Sequence, residues 1–218
     1  MREYILSELW KINSFSYIKM LQNNHQDLTF YIFGGAIRDL AHNYYHKDQV
    51  VIRDIDVLVD NKNNPNFDLK TLNPQSSLDK LDFFATSNNF LFIKDHKKIK
   101  EFSLNTDYTI NSCYFNMRDA EITHHDLFED HISNRVISLL IDGNSCKDNI
   151  RGNWRTFVKY NIMKQKLNYQ ADDKTLIEFK KIKDVLMLDV MHNKMIKYCK
   201  ENKLEKYLDG LFNELYSY

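Results

Sequence analysis

The sequence predicts an α+β fold, a mixed β-sheet flanked by helices and followed by a small helical C-terminal region. Three observations predict it. The first two-thirds of the chain alternates short β-branched and aromatic runs with amphipathic stretches. From about Asp148 onward, apolar residues recur only at helical spacing. Gly (5) and Pro (2) are scarce among 218 residues, which argues against flexible linkers and low-complexity tails. We place a soft boundary near residue 146, with a head over 1–146 and a helical, basic region over 147–218.

Residues 3–22 carry Ile5, Leu6, Leu9, Trp10 and Ile12 at helical spacing. Thr29–Phe33 is β-branched and aromatic and reads as a strand running into Gly34–Gly35. Ala36–Tyr45 contains no breaker and reads as a helix opened by those glycines. Val50–Val59 reads as a strand, and Asn61–Pro74, rich in Asn, Asp and Pro, as a loop. Lys80–Ala85, Phe90–Ile93, Tyr108–Phe115 and Arg135–Ile141 are strand candidates. Glu121–Asp130 reads as either helix or strand. The C-terminal helices are marked by Trp154, Phe157, Val158 and Ile162, then Leu176, Phe179 and Ile182. Met191, Met195, Ile196 and Cys199 follow, then Leu204, Tyr207, Leu208, Leu211 and Leu215. These Met and aromatic stripes read as core rather than as cofactor contacts.

A hydrophobic content of 43% with 28% charged residues suits a globular protein with a real core. No apolar run approaches the ~18 residues a membrane span needs. The N-terminus has Glu3 and Glu8 within its apolar pattern and reads as an amphipathic helix rather than a signal peptide. Three widely spaced cysteines, Cys113, Cys146 and Cys199, point to free thiols in a reducing cytoplasm. The net charge is zero, yet residues 147–206 hold 15 Lys and Arg against 8 Asp and Glu. That excess fits either a surface for a polyanion or ordinary solvated lysine faces of a helix bundle.

The chemistry concentrates in residues 31–56. Residues two apart on a strand share a face, so Asp54 and Asp56 would set two carboxylates side by side. Like charges that close repel, and a hard cation such as Mg2+, which prefers oxygen ligands, relieves the repulsion. A diglycine turn before a helix allows close backbone approach and aims N–H groups at an anion. Arg38, one turn into that helix, adds a candidate phosphate contact. Asp39 reads as an orienter of Arg38 or Arg53 rather than a metal ligand. Together these parts suggest a site for a Mg2+–nucleoside triphosphate. Asp82 interrupts an otherwise apolar run, where an unpaired acid would be costly to bury.

Gly34-Gly35-Ala36-Ile37-Arg38-Asp39, followed by Arg53-Asp54-Ile55-Asp56, resembles the head domain of the tRNA CCA-adding enzyme and bacterial poly(A) polymerase family. Its pattern is Gly-Gly-x-(Val/Ile)-Arg-Asp, a short insert, then Asp-x-Asp on a strand. Asp107-Tyr108-Thr109-Ile110-Asn111-Ser112 resembles the family's Arg-Arg-Asp-Phe-Thr-Ile-Asn-Ala segment. Asp126 to Ser138 resembles its connecting segment, and Lys147-Asp148-Asn149-Ile150-Arg151, with Arg155 a turn later, its base-reading segment. The resemblance covers roughly residues 28–175. Leu81–Phe92 also looks like a strand pair of small relatives of this head, which supports Asp82.

The resemblance implies a polymerase β-like nucleotidyltransferase head that transfers NMP from an NTP (ATP or CTP) to a hydroxyl, with pyrophosphate released. Asp54 and Asp56 with a third carboxylate, for which Asp82 is the candidate and Asp79 and Glu101 the fallbacks, would hold two Mg2+ ions. Gly34, Gly35 and Arg38 would meet the phosphates. Asp107 and Asn111 would lie near the ribose and base, and Asp148, Arg151 and Arg155 near the base edge. The implied acceptor is the 3′ end of a tRNA-like RNA lying on the basic region. A protein or small-molecule hydroxyl, or a non-catalytic nucleotide-binding role in a toxin–antitoxin pair, are the alternatives.

Three departures stand out. Asn105 and Thr106 replace the two arginines, Lys147 replaces a glutamate, and Glu129 and Asp130 stand near the place of a glycine. The resemblance is also expected to stop short of the family's helical body and tail, which leaves a protein partner or a second copy as a candidate source of further RNA binding. His42 and His46, at i and i+4, are expected to be exposed. His124, His125 and His131 lack matching zinc partners and read as a solvated loop and helix face.

Overall fold

The computed structural model describes residues 1–52, 54–61, 63–72, 80–85, 106–140 and 150–217, with side chains described at most of them. The chain divides into two compact units, Met1–Ser133 and Asn134–Tyr218. The division falls ahead of residue 146 because β6 (Val136–Ile137) pairs in parallel with β7 (Gln170–Ala171), deep in the helical part.

The first unit opens with α1 (Arg2–Leu9) and α2 (Asn13–Asn24), separated by a short break where one helix was expected. Strand β1 (Thr29–Phe33) has the expected bounds. It leads through Gly34 into α3 (Gly35–His46), then to β2 (Asp54–Asp60) and β3 (Lys80–Ala85). The 50–52 stretch, expected as strand, has no regular structure. A 3-10 turn at Thr109–Asn111 precedes β4 (Cys113–Asn116), β5 (Ile122–His124) and the short helix α4 (Phe128–Ser133). The expected strand at Phe90–Ile93 lies outside the described residues.

The five strands form one mixed sheet in the order β3-β2-β1-β4-β5. Strands β2 and β3 are parallel, and the other neighbours are antiparallel. On one face Phe30, Ile32, Val57, Val59 and Phe115 are almost fully buried. Phe15 of α2 meets Phe115 there, with ring centroids 6.2 Å apart. The opposite face carries Tyr31, Leu58 and Tyr114, with Phe33 packed beside them. This alternation is the period-two pattern of a sheet covered unequally on its two faces.

The second unit is built from α5 (Ile150–Leu167), α6 (Asp173–Leu186), α7 (Asp189–Glu201) and α8 (Leu208–Ser217). Its core is aromatic. Phe157 meets Phe179 edge-on at 5.2 Å, and Tyr160 lies 5.2 Å from the same ring. Helix α6 starts cleanly because the Asp172 carboxylate accepts from the Thr175 N–H at 2.8 Å. The Thr175 hydroxyl in turn accepts from the Leu139 N–H at 2.8 Å, tying the loop after β6 to this helix. No helix among the described residues is long and apolar enough to cross a membrane.

Candidate active site

The site grows out of the end of β1. Phe33 pairs with Asp56 on one side and with Tyr114 on the other. The parallel register of β2 and β3 sets Asp82 opposite Asp56, and Asp54 lies two positions earlier on β2. One row across the sheet therefore reads Asp82, Asp56, Phe33, Tyr114. Neighbouring strands lie about 4.8 Å apart, so the two acidic positions are adjacent just where β1 gives way to the glycine turn. Asp56 is half-buried.

Gly34 caps α3 with φ 65° and ψ −124°, a conformation that favours glycine. A Cβ built there would meet nothing within 4 Å. The need for glycine is therefore conformational, and the space above it is open. The Gly34 N–H is already committed to the Cys113 carbonyl, 3.2 Å away. The groups left to face an anion are the N–H groups of the first helical turn, which have no intrahelical acceptor. Burial pushes the Cys113 thiol well above its usual range, an effect only partly offset by nearby Arg38. It is an inert neutral group behind the turn.

Arg38 is fixed in place. Its Nε donates to Asp39 Oδ1 at 2.8 Å, and a terminal nitrogen lies 2.7 Å from the same oxygen. Its other terminal nitrogen donates to Asn111 Oδ1 at 2.8 Å. Asn111 Nδ2 donates to Asp107 Oδ1 at 2.8 Å, and that oxygen also accepts from the Tyr108 N–H at 3.1 Å. The structure thus joins Arg38, Asp107 and Asn111, all named from sequence, into one network. Of the two arginines expected to be oriented by Asp39, Arg38 is paired with it, and Arg53 lies outside the described residues. The link between residues 38 and 111 has no signal in local spacing, because the pairing of β1 with β4 creates it.

The three residues expected near the base edge are less fully placed. Asp148 lies outside the described residues, and Arg151 is located only by its backbone in α5. Arg155 is exposed on the same helix. Its guanidinium lies 5.3 Å from the centroid of Trp154 and 5.9 Å from that of Tyr198, two partners that the sequence did not single out.

The histidines need correction. His42 is fully buried, not exposed, and its Nε2 lies 2.8 Å from Asp48 Oδ2. The His46 Nε2 donates to the Ile132 carbonyl at 2.8 Å. Helix α3 is covered on a second side by α4, as the Tyr45 hydroxyl donating to Glu129 at 2.5 Å also shows. His131 contacts the Thr109 hydroxyl at 2.7 Å, which places it at the back of the 3-10 turn.

No protein-family model matches the chain, and no curated protein matches its sequence. Solved structures do match. A CCA-adding enzyme in complex with ATP aligns with a TM-score of 0.68 at 16% identity, over 97% of this chain and 52% of that one. A tRNA nucleotidyltransferase complexed with a primer tRNA and an incoming ATP analog gives 0.65 at 15% identity, over 92% and 60%. The Thermotoga maritima CCA-adding enzyme complexed with tRNA gives 0.55 at 14% identity, over 88% and 52%. The chain spans between half and three-fifths of the length of these proteins. It shares their fold, so the α+β architecture expected from the motifs is the one observed.

Proposed function

We propose that the chain is a metal-dependent nucleotidyltransferase that moves NMP from an NTP to the 3′ hydroxyl of a tRNA-like RNA. The observation that carries this reading is the register that sets Asp82 beside Asp56, next to the Gly34 turn. Carboxylates at such positions on adjacent parallel strands would make a hard oxygen donor set of the kind that suits Mg2+. Asp54, Asp56 and Asp82 would hold it. Bound Mg2+ would supply Lewis-acid activation of the acceptor hydroxyl and charge neutralisation at the triphosphate. The first turn of α3 and the Arg38 guanidinium would bind the phosphate oxygens. Asp107 and Asn111 would orient the sugar, with Asp148, Arg151 and Arg155 serving the base. The acceptor oxygen attacks the α-phosphorus as its proton is lost, and the bond to pyrophosphate breaks. Fold likeness to proteins solved with ATP, an ATP analog and tRNA supports the NTP and the RNA acceptor. The cation excess of residues 147–206 supports a polyanion on the second unit. Buried free thiols at Cys113 and Cys199 suit a reducing cytoplasm.

The test is to incubate the protein with Mg2+, each labelled NTP in turn, and total RNA. RNase-sensitive label is expected. Asp54→Ala and Asp56→Ala should each cut transfer by roughly a thousandfold or more, the several kcal/mol that metal-held charge supplies. Label that resists RNase but yields to protease would move the acceptor to a protein. NTP binding with no transfer to any acceptor would make the chain a nucleotide-binding component, and no NTP binding would sink the reading.

A further inference from the structure

We infer that Asp39 is a positioning residue for the triphosphate of the NTP. It acts through Arg38, with Asn111 as the second fixed point of the same mount. This inference rests on the nucleotidyltransferase reading and adds how the phosphate-binding cation is aimed.

Side chains at i and i+1 on a helix do not ordinarily face each other. Arg38 nevertheless turns sideways, so that two of its nitrogens reach one oxygen of Asp39, at 2.8 and 2.7 Å. Asp39 is only 8% exposed, and a carboxylate that buried needs a partner. Each residue therefore explains the other's position. Asn111 then fixes the far side of the guanidinium. Its orientation is set by chemistry, because its oxygen accepts from Arg38 while its amide donates to Asp107. Reversing the amide would turn N–H toward a cation and oxygen toward a carboxylate. A long, flexible arginine is thereby held from two sides by groups 72 residues apart in the chain.

The place where it is held is the informative part. A Cβ at Gly35 would lie 3.5 Å from the Arg38 Nη2, and one at Gly34 would meet nothing. The guanidinium thus stands over the first residue of α3. A helix N-terminus carries partial positive charge, which disfavours a cation beside it. The fold brings these two positive elements together and adds a buried acid that keeps the cation there. That arrangement is suited to an anion with more than one negative oxygen, bound jointly by helix N–H groups and guanidinium. It predicts selectivity by phosphate count rather than by base.

A double-mutant cycle tests this on the full chain, using Mg2+–ATP, Mg2+–ADP and adenosine as probes. Asp39→Asn, which keeps the shape and removes the charge, should raise Kd for ATP roughly tenfold, as expected on losing a charge-assisted mount. It should leave adenosine binding unchanged. In an Arg38→Gln background the same substitution should add nothing. Arg38→Lys, which keeps the charge but cannot span both fixed points, should also lose about tenfold in ATP affinity. It serves as the second variant should Asp39→Asn fail to fold. Additive losses, equal losses for ATP and adenosine, or wild-type ATP affinity in Arg38→Lys would each overturn the inference while leaving the nucleotidyltransferase reading intact. Absence of ATP binding by the unmodified protein would overturn both.

Discussion

The two units of the chain solve stability and chemistry with different materials. In Met1–Ser133 the polar groups at the end of the sheet are buried and tied together over long sequence distances, as Arg38 is to Asn111. In Asn134–Tyr218 the interior is aromatic and sulfur-containing, built from Phe157, Tyr160, Met163, Phe179, Met191 and Met195. Its ion pairs are local, exposed in Lys197–Glu201 and reaching inward in Lys181–Glu178, where the glutamate is buried. Buried charges are costly unless paired, so a fold keeps them where they serve a ligand. The first unit joins its buried charges across distant strands and helices, whereas the second pairs them between helices or within one, as in Lys164–Glu214 and Lys181–Glu178.

The strongest challenge to this contrast is Phe157→Ala. Phe157 is fully buried and contacts both Phe179 and Tyr160. Truncation should cost about 3–5 kcal/mol, read as a lower urea midpoint. A loss under about 1 kcal/mol would mean that the aromatic cluster does not hold the helical unit. The corresponding test in the first unit is Gly34→Ala. The added methyl has room, so the cost is torsional, about 1–3 kcal/mol. If the turn serves a ligand, ATP affinity should fall by more than stability does.

How much of this was legible depends on whether a feature is local. Strands β1 and β3 and helix α3 follow from runs of adjacent residues, and their bounds were readable almost to the residue. The segment at 108–112 was read as strand because Tyr, Thr and Ile favour one. Asp107 instead bonds the Tyr108 N–H and the Asn111 amide, and this local competition bends the backbone into a 3-10 turn. The break between α1 and α2 carries neither Gly nor Pro, so nothing in its composition announced it. The pairing of β6 with β7, the burial of His42 and the bridge from Arg38 to Asn111 arise from partners distant in sequence. The acidic pair at 54 and 56 was visible as a motif, whereas its alignment with Asp82 needed the register of two strands.

The smallest effect separates the units by pH. Lys164 lies within 2.6 Å of Glu214, and its pKa is raised. Burial pulls it down, but the hydrogen bond to Glu214, the nearby Tyr160 and the Glu214 charge together outweigh that pull. A raised lysine stabilises the fold fully below the unfolded value of about 10.4 and loses that contribution as pH climbs through the folded value. Because the pair is a third exposed at the lysine, solvent keeps its worth below about 1 kcal/mol. In the first unit, burial and the bond to Glu129 push Tyr45 up to about 12. The folded state then keeps a proton that the unfolded chain gives up near pH 10, so stability again falls with rising pH. Urea midpoints at pH 9 and pH 11 read both. Glu214→Gln and Glu129→Gln should each make the alkaline fall shallower. The Glu129 variant should retain more of the slope, because burial, the larger cause for Tyr45, survives the substitution. An unchanged slope in Glu214→Gln would show that the charged tie of the helical unit contributes nothing to its stability.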